Sequence, residues 1–370
     1  MIFSSEEKAY IWLDSFPLTD GEKRSLIEQA GGAVPLVKNF ARIFPQTVKK
    51  EKIGVYNNMK NSLTDGGEYF KALLASYERE EVLPVTTASP AYPEALKKEK
   101  GAPLVLYAKG EIELLKTPLF AVVGSRITPE PVMETGKAIA KTLSEHFTLI
   151  TGTAEGGDSA AIGGAIAGSG RVVCLFAGGF HAANKGNLSL LKKAKERGLL
   201  LSARPPKEPV RAFSYDERNK LLAQLCTGVL VISAGEKSGA LITANYAQKF
   251  KKPVFALPHP PLSQAGVGCN ALIKTGARLA ETAEDILSVL CPERKNAGSL
   301  APRGSVPALS ETEQAALDVL KLETELPISR LAERLSVPSF KVNAIITSLE
   351  VKGLAIRTGG NRVAINPKKI

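Results

Sequence analysis

The chain has 370 residues, 44% of them hydrophobic and 23% charged, which suits two or three globular domains and excludes wholesale disorder. No apolar run approaches the roughly 20 residues of a membrane span, and "MIFSSEEKAYIW" has glutamates where a signal peptide carries lysines, so the cytoplasm is the expected location, with no membrane partner. Most of the formal charge of +11 falls in residues 115–290, where 21 Lys and Arg face 13 Asp and Glu, and a polyanion is the expected partner of that stretch.

Residues 1–80 predict a small helical domain, with Ser5 capping one helix through Trp12 and Asp20 starting another that stops at Gly31 and Gly32. "GEKRSLIEQAGG" is faintly similar to helix-hairpin-helix or SAM-like modules, but residues 1–114 hold 15 Lys and Arg against 16 Asp and Glu, which favours docking or spacing over a grip on phosphate. From Val82 to Gly110 the prolines at 84, 90, 93 and 103 keep the chain extended, and "PLVLYAKG" reads as a strand.

Residues 81–290 form the expected core. The apolar runs "LFAVVG", "FTLIT", "RVVCLFAGG", "GLLLSA", "GVLVIS" and "KPVFALP" are followed by helices beginning near Pro129, after Gly157, in the lysine-rich segment, near Arg218, near Ser238 and at "ALIKTGA". Continuous rather than alternating apolar strands imply burial on both faces, so the predicted fold is α/β, a doubly wound parallel sheet. Residues 291–307 have the composition of a linker. In residues 308–370, a capping box at Ser310 and Glu313, helices at "ISRLAERL" and after "VPS", and a hairpin turning at Gly359 and Gly360 predict a winged helix. Its third helix offers only Lys341 and Lys352 against Glu350, a poor set for reading a major groove.

Ligands of doubly wound sheets sit beyond the carboxyl ends of the strands, so the strand tips carry the candidates. Gly124, Ser125 and Arg126 follow the first strand; glycine admits a ligand close to the backbone, and serine and arginine grip phosphate oxygen. "TGTAEGGD" and the start at Ser238 and Gly239 present helix N-termini, which attract anions. In "FSYDERNK", Phe213 is the candidate for stacking a base, Arg218 and Lys220 for meeting phosphate, with Arg211 and Lys185 on neighbouring loops; an aromatic beside cations suits single-stranded nucleic acid. The same glycines also serve tight turns and close packing.

"GSRITPE" is not a dinucleotide fingerprint and no Walker lysine follows, which disfavours a dehydrogenase or an ATPase. Glu155, Asp158, Asp216 and Glu217 read as solvated rim or helix-capping carboxylates rather than a catalytic pair, and an enzyme is not expected. Cys174, Cys226, Cys269 and Cys291 contain no C-x-x-C and the three histidines are scattered, so no metal, disulfide framework or other cofactor is expected.

Taken in order, "AVVGSR", "LITGTAEGGDSAA", "FSYDERNK", "SGALITANYA" and "GVGCNALIKTGA" resemble the DNA-processing protein A (DprA/Smf) family of bacterial natural transformation, over roughly residues 80–290. The resemblance implies an extended Rossmann-like domain that forms a homodimer, binds and protects incoming single-stranded DNA and delivers the RecA recombinase to it. It also implies a strand-binding pocket at Gly124, Ser125, Arg126, Lys185, Asn187, Arg211, Phe213, Arg218, Asn219, Lys220, Ser238 and Gly239, with Lys274 as a looser member. The sequence departs from the family's usual histidine at Ile162, tyrosine-proline near Ala183 and Asn184, arginine at Lys220, and glutamates near Ser233 and Ala203. Two rival readings are a nucleotide phosphoribohydrolase, against which "AGEKSGALITANYA" lacks the required helix glutamate, and a winged-helix transcription regulator.

Overall fold

The computed structural model describes residues 2–48, 50–99, 101–182, 185–292, 309–323, 325–358 and 361–366. Most of the expected linker, the Gly359–Gly360 turn and the Ala183–Asn184 departure lie outside them. The chain divides into two compact units, Met1–Leu290 and Cys291–Ile370.

The first unit opens with helices α1 (Ser5–Asp14), α2 (Asp20–Ala30), α3 (Ala33–Thr47), α4 (Ile53–Thr64) and α5 (Glu68–Arg79). The caps stand one residue earlier than the sequence suggests: Ser4 and Thr19 accept the N–H groups of Glu7 and Glu22, whose carboxylates return to the cap N–H groups. Gly31 ends α2 at φ +73, a conformation open to glycine at little steric cost. Trp12, Phe40 and Phe44 fill the centre of these helices, and Trp12 Nε1 donates to Ser62 Oγ at 2.8 Å. A buried ion pair, Lys23 Nζ to Asp14 Oδ1 at 2.7 Å, also receives the Tyr107 hydroxyl at 2.7 Å, which ties this layer to the sheet.

The sheet and its helices follow as β1 (Leu83–Thr86), α6 (Glu94–Lys97), β2 (Val105–Gly110), β3 (Leu119–Gly124), α7 (Glu130–Ser144), β4 (Thr148–Thr151), α8 (Gly157–Ala167), β5 (Val172–Phe176), α9 (Leu188–Lys195) and β6 (Leu199–Ser202). They continue as α10 (Ser214–Leu225), β7 (Val229–Ser233), α11 (Gly239–Lys249), β8 (Val254–Ala256), α12 (Val267–Lys274), β9 (Arg278–Leu279) and α13 (Ala283–Leu290). The nine strands lie in the order β1-β2-β6-β5-β4-β3-β7-β8-β9. Strands β3 to β9 are parallel as expected; β2 and β1 extend the β6 edge antiparallel. The sequence reading has no strand at β1, which contains Pro84; proline is tolerated there because β1 is an edge.

Both faces are covered. Helices α10, α11 and α12 pack with Val123, Ile150, Val173 and Val231 on one face. On the other, Gly136 of α7 lies against Ile232, whose side chain points opposite to that of Val231. The chain moves outward from β3 through β4, β5 and β6, then returns to place β7 on the other side of β3. Loops leaving β3 and β7 therefore diverge and open a crevice at the carboxyl edge.

The second unit contains α14 (Glu311–Glu323), β10 (Glu325–Pro327), α15 (Ile328–Leu335), α16 (Ser339–Val351), β11 (Ala355–Thr358) and β12 (Arg362–Ile365). Its strands pair antiparallel in the order β10-β12-β11, and Leu317, Leu320, Leu331, Val342, Ile346, Leu349 and Val363 form its own core. The Ser310–Glu313 capping box is present.

Candidate functional site

The crevice at β3 and β7 holds a cavity of about 310 Å³. Gly124, Ser125 and Arg126 enter it from β3 and its tip, Gly152 and Ala154 from the β4–α8 turn, Asp158 from the first turn of α8, Tyr215, Arg218 and Asn219 from α10, and Ser238 and Gly239 from the start of α11. Glycines permit this convergence. A Cβ on Gly124 would stand 2.8 Å from the Gly157 Cα, and one on Gly156, at φ +75, would overlap the Ser125 carbonyl. The Gly157 N–H instead donates to Ser125 O at 3.0 Å, which holds the β3 tip on the N-terminus of α8. These glycines thus serve close packing first, and the anion-attracting end of α8 lies against protein.

Below the cavity, Arg218 Nη1 lies 3.9 Å from Asp158 Oδ2 and donates to Leu175 O at 3.3 Å, while its buried Nε has no partner among the described residues. Asp158 is 4% exposed and accepts the Ala154 N–H at 3.1 Å. Burial pushes the Asp158 carboxyl above its ordinary range, with the Arg218 charge opposing, and burial also lowers Arg218. Asp158 is therefore not the solvated rim carboxylate expected from the sequence. It occupies the first turn of α8, and its side chain turns back under the β4–α8 loop toward Arg218. Gly152 makes room for both groups, since a Cβ there would overlap them.

At the mouth, the Arg126 guanidinium stands over the Tyr215 ring, 5.0 Å from its centre, and both side chains are exposed. Tyr215 is the aromatic of this cavity, and the sequence reading, which singled out Phe213, missed it. Tyr215 and Arg218 are three apart on α10 and so share a face, whereas Phe213 precedes the helix. That spacing was the available signal. Phe213 and Arg211 line a separate recess beside the α1–α2 turn, where Arg211 lies 3.5 Å from Glu208.

The structure brings Gly124, Ser125, Arg126, Arg218, Asn219, Ser238 and Gly239 together, and Asn187, Arg211, Phe213, Lys220 and Lys274 do not line this cavity. Asn219 is buried and its amide donates to Gly239 O at 3.3 Å, tying α10 to α11, and Ser238 caps α11 through the Ala240 N–H. Asn187 is buried between Ser159 Oγ at 3.0 Å and Thr153 O at 3.1 Å, fastening the 185–187 turn to the β4–α8 loop. The Lys185 side chain lies outside the described residues. Lys220 faces a smaller recess with Asp20 and Arg204. Lys274 ends the eight-residue helix α12, which runs back from the rim and carries it about 12 Å away at 1.5 Å per residue.

Of the departures, Ile162 is fully buried in α8, and the Ser233 hydroxyl is buried and donates to Ala265 O at 3.1 Å. Cys174, Cys226 and Cys269 are buried, and burial pushes the Cys226 thiol up to about 11 and that of Cys269 to about 12. Among the described residues no group of three or more His, Cys, Asp or Glu is placed to hold a metal, and no helix is long and apolar enough to cross a membrane.

Residues 84–291 match the family model described as DNA recombination-mediator protein A. DNA processing protein DprA of Streptococcus pneumoniae is 33% identical over 198 residues, 53% of this chain and 70% of the relative, and that of Bacillus subtilis is 32% identical over 256 residues, 67% of this chain and 84% of the relative. The X-ray structure of the Streptococcus pneumoniae protein superposes with a TM-score of 0.64 at 27% identity, covering 78% of this chain and 98% of the other. A structure described as showing the single-stranded DNA binding mode of DNA processing protein A from Helicobacter pylori shares the fold, with a TM-score of 0.52 at 24% identity over 58% of this chain and 97% of that one.

Proposed function

The chain belongs to the DNA recombination-mediator protein A family, and from that membership and the geometry of its cavity we propose that it binds and protects incoming single-stranded DNA and loads the RecA recombinase onto it in natural transformation. The observation that carries the binding step is the exposed Arg126 guanidinium over the Tyr215 ring at the mouth of the cavity. A strand laid there meets a cation for its phosphate and an aromatic face for its base, with the Ser125 hydroxyl and the first turn of α11 alongside. Recombinase loading and homodimer formation rest on the family resemblance. We read the chain as a helical domain at 1–80, an extended Rossmann-like core at 81–290, a linker at 291–307 and a winged helix at 308–370.

In this reading the cavity binds and does not catalyse. The carboxylate on its wall, Asp158, is committed to Arg218 and the Ala154 N–H. Fluorescence anisotropy with single-stranded and duplex oligonucleotides tests the proposal. Because Asp158 largely neutralises Arg218 and Arg211 lies beside Glu208, about three or four phosphate contacts are expected, giving a salt slope of about −2 to −3 at roughly 0.7 per contact. Arg126→Ala should weaken the single-strand complex and flatten the slope by about 0.7. Equal affinity for duplex, or an Arg126→Ala protein that binds like the parent, overturns the reading.

A further inference from the structure

The recess beside the α1–α2 turn has a volume of about 610 Å³, larger than the strand cavity and within the size range of small-molecule sites. Phe16, Pro17 and Leu18 give it an apolar wall, and the exposed Phe213 ring lines it as well. The loop that carries its cations is held in place. The Gly179 N–H donates to Glu208 O at 2.8 Å, the His181 N–H to Pro206 O at 3.0 Å and the Arg211 N–H to Ser214 Oγ at 2.9 Å, so little ordering is left for a ligand to impose.

Charge narrows the choice of ligand. The acids on these walls are each matched: Asp14 holds Lys23 at 2.7 Å, Arg204 lies 2.6 Å from Glu217 and 3.6 Å from Asp20, and Arg211 lies 3.5 Å from Glu208. Lys52 is matched by Glu22 at 2.6 Å. Lys207 is exposed and enters no ion pair among the described residues, acting on Glu80 only at longer range. Helix α2, 11 residues long, begins in this recess, and its Asp20 and Gly21 N–H groups donate to nothing among the described residues. One uncompensated cation beside a helix N-terminus suits a single phosphate group.

We propose that this recess is a second ligand site, which takes a free nucleoside monophosphate. Its base stacks on Phe213, its phosphate lies among Lys207, Arg211 and the first turn of α2, and the carboxylates of Asp20 and Glu208 accept from its hydroxyl or amino groups. The strand itself is the less fitting occupant. The Glu217–Arg204–Asp20 bridge stands between this recess and the smaller one that leads to Arg218, so a strand running on from the cavity would have to break it. A polyanion would also meet Asp20, Glu208 and Glu217 in succession.

The test titrates the full chain with the 5′-monophosphates of adenosine, guanosine, cytidine and uridine, by calorimetry and by the fluorescence of Trp12. That residue is the only tryptophan, and its ring packs edge-on against Phe16, 5.7 Å between centres. At least one nucleotide should bind once per chain and shift the Trp12 emission, whereas its nucleoside and inorganic phosphate alone should each bind about tenfold more weakly or worse. Phe213→Ala should weaken the complex about fivefold or more, and Lys207→Glu and Gly21→Glu about tenfold or more. A Cβ at Gly21 meets no atom within 4 Å, and an acid in the first turn favours the helix, so Gly21→Glu keeps the fold while repelling the phosphate. Arg126→Ala should leave nucleotide binding unchanged. The proposal is overturned if no nucleotide binds the folded chain more tightly than ~1 mM, or if Phe213→Ala, Lys207→Glu and Gly21→Glu all bind like the parent. Loss of binding in Arg126→Ala overturns it too, by placing the nucleotide in the strand cavity, and so does inorganic phosphate that binds as tightly as the nucleotide.

Discussion

Tyr215 and Phe213 stand two residues apart and divide the evidence for stacking between them. Both are exposed, by 41% and 50%, but only Tyr215 borders the cavity with Arg126 and Arg218. Base stacking on an aromatic contributes about 1–3 kcal/mol by alanine substitution. Tyr215→Ala should therefore lower single-strand affinity about fivefold or more, Tyr215→Phe should stay within about twofold, and Phe213→Ala should change little, as read by anisotropy with an oligothymidylate. If Phe213→Ala shows the larger loss, the strand crosses the recess beside α1 and α2 instead. At this scale the sequence was half legible. Ser125 and Arg126 declare themselves by following a buried strand, but Asp158 and Arg218 lie 60 residues apart, and no local pattern joins two charges that meet only once β4, β5 and α10 are assembled.

Among the elements, strand and helix alternate where the sequence says they do, because strands buried on both faces are continuous apolar runs. The short strands β9 and β10 escaped, since two or three residues have no period of their own and are defined by the strand they pair with. Helix α14 was legible from its cap, and the structure gives that cap a second task. Glu313 accepts Lys352 Nζ at 2.7 Å, Ser348 Oγ at 2.6 Å and the Ser310 N–H at 2.6 Å, so it joins α14 to α16. The Lys352 hydrogen bond, then those of Ser348 and Ser310, pull its carboxyl from the ordinary 4.5 down to about 2. A group with a depressed folded-state pKa adds stability above its unfolded value and loses it as pH falls through the folded one. Protection of α14 and α16 amides should therefore decline between about pH 4.5 and 2, and Glu313→Gln should remove that decline while lowering protection at neutral pH. Hydrogen exchange of the full chain, corrected for intrinsic rates, reads both. A pH dependence unchanged in Glu313→Gln would show that the network does not set it.

For the whole molecule, the question is which unit grips the strand. Every residue lining the cavity comes from the first unit, as does the excess of 21 Lys and Arg over 13 Asp and Glu in residues 115–290. The first unit also keeps its internal ties when the second is removed: the sheet is complete by β9, and the Asp14, Lys23 and Tyr107 network lies wholly within it. Counterion release dominates affinity that lacks sequence readout, so a chain ending at Pro292 should bind within about threefold of the full chain, or ~0.65 kcal/mol. The oligonucleotide must be short enough to seat one chain. A tenfold loss already present on the short oligonucleotide, with folding intact by circular dichroism, would make the second unit part of the grip.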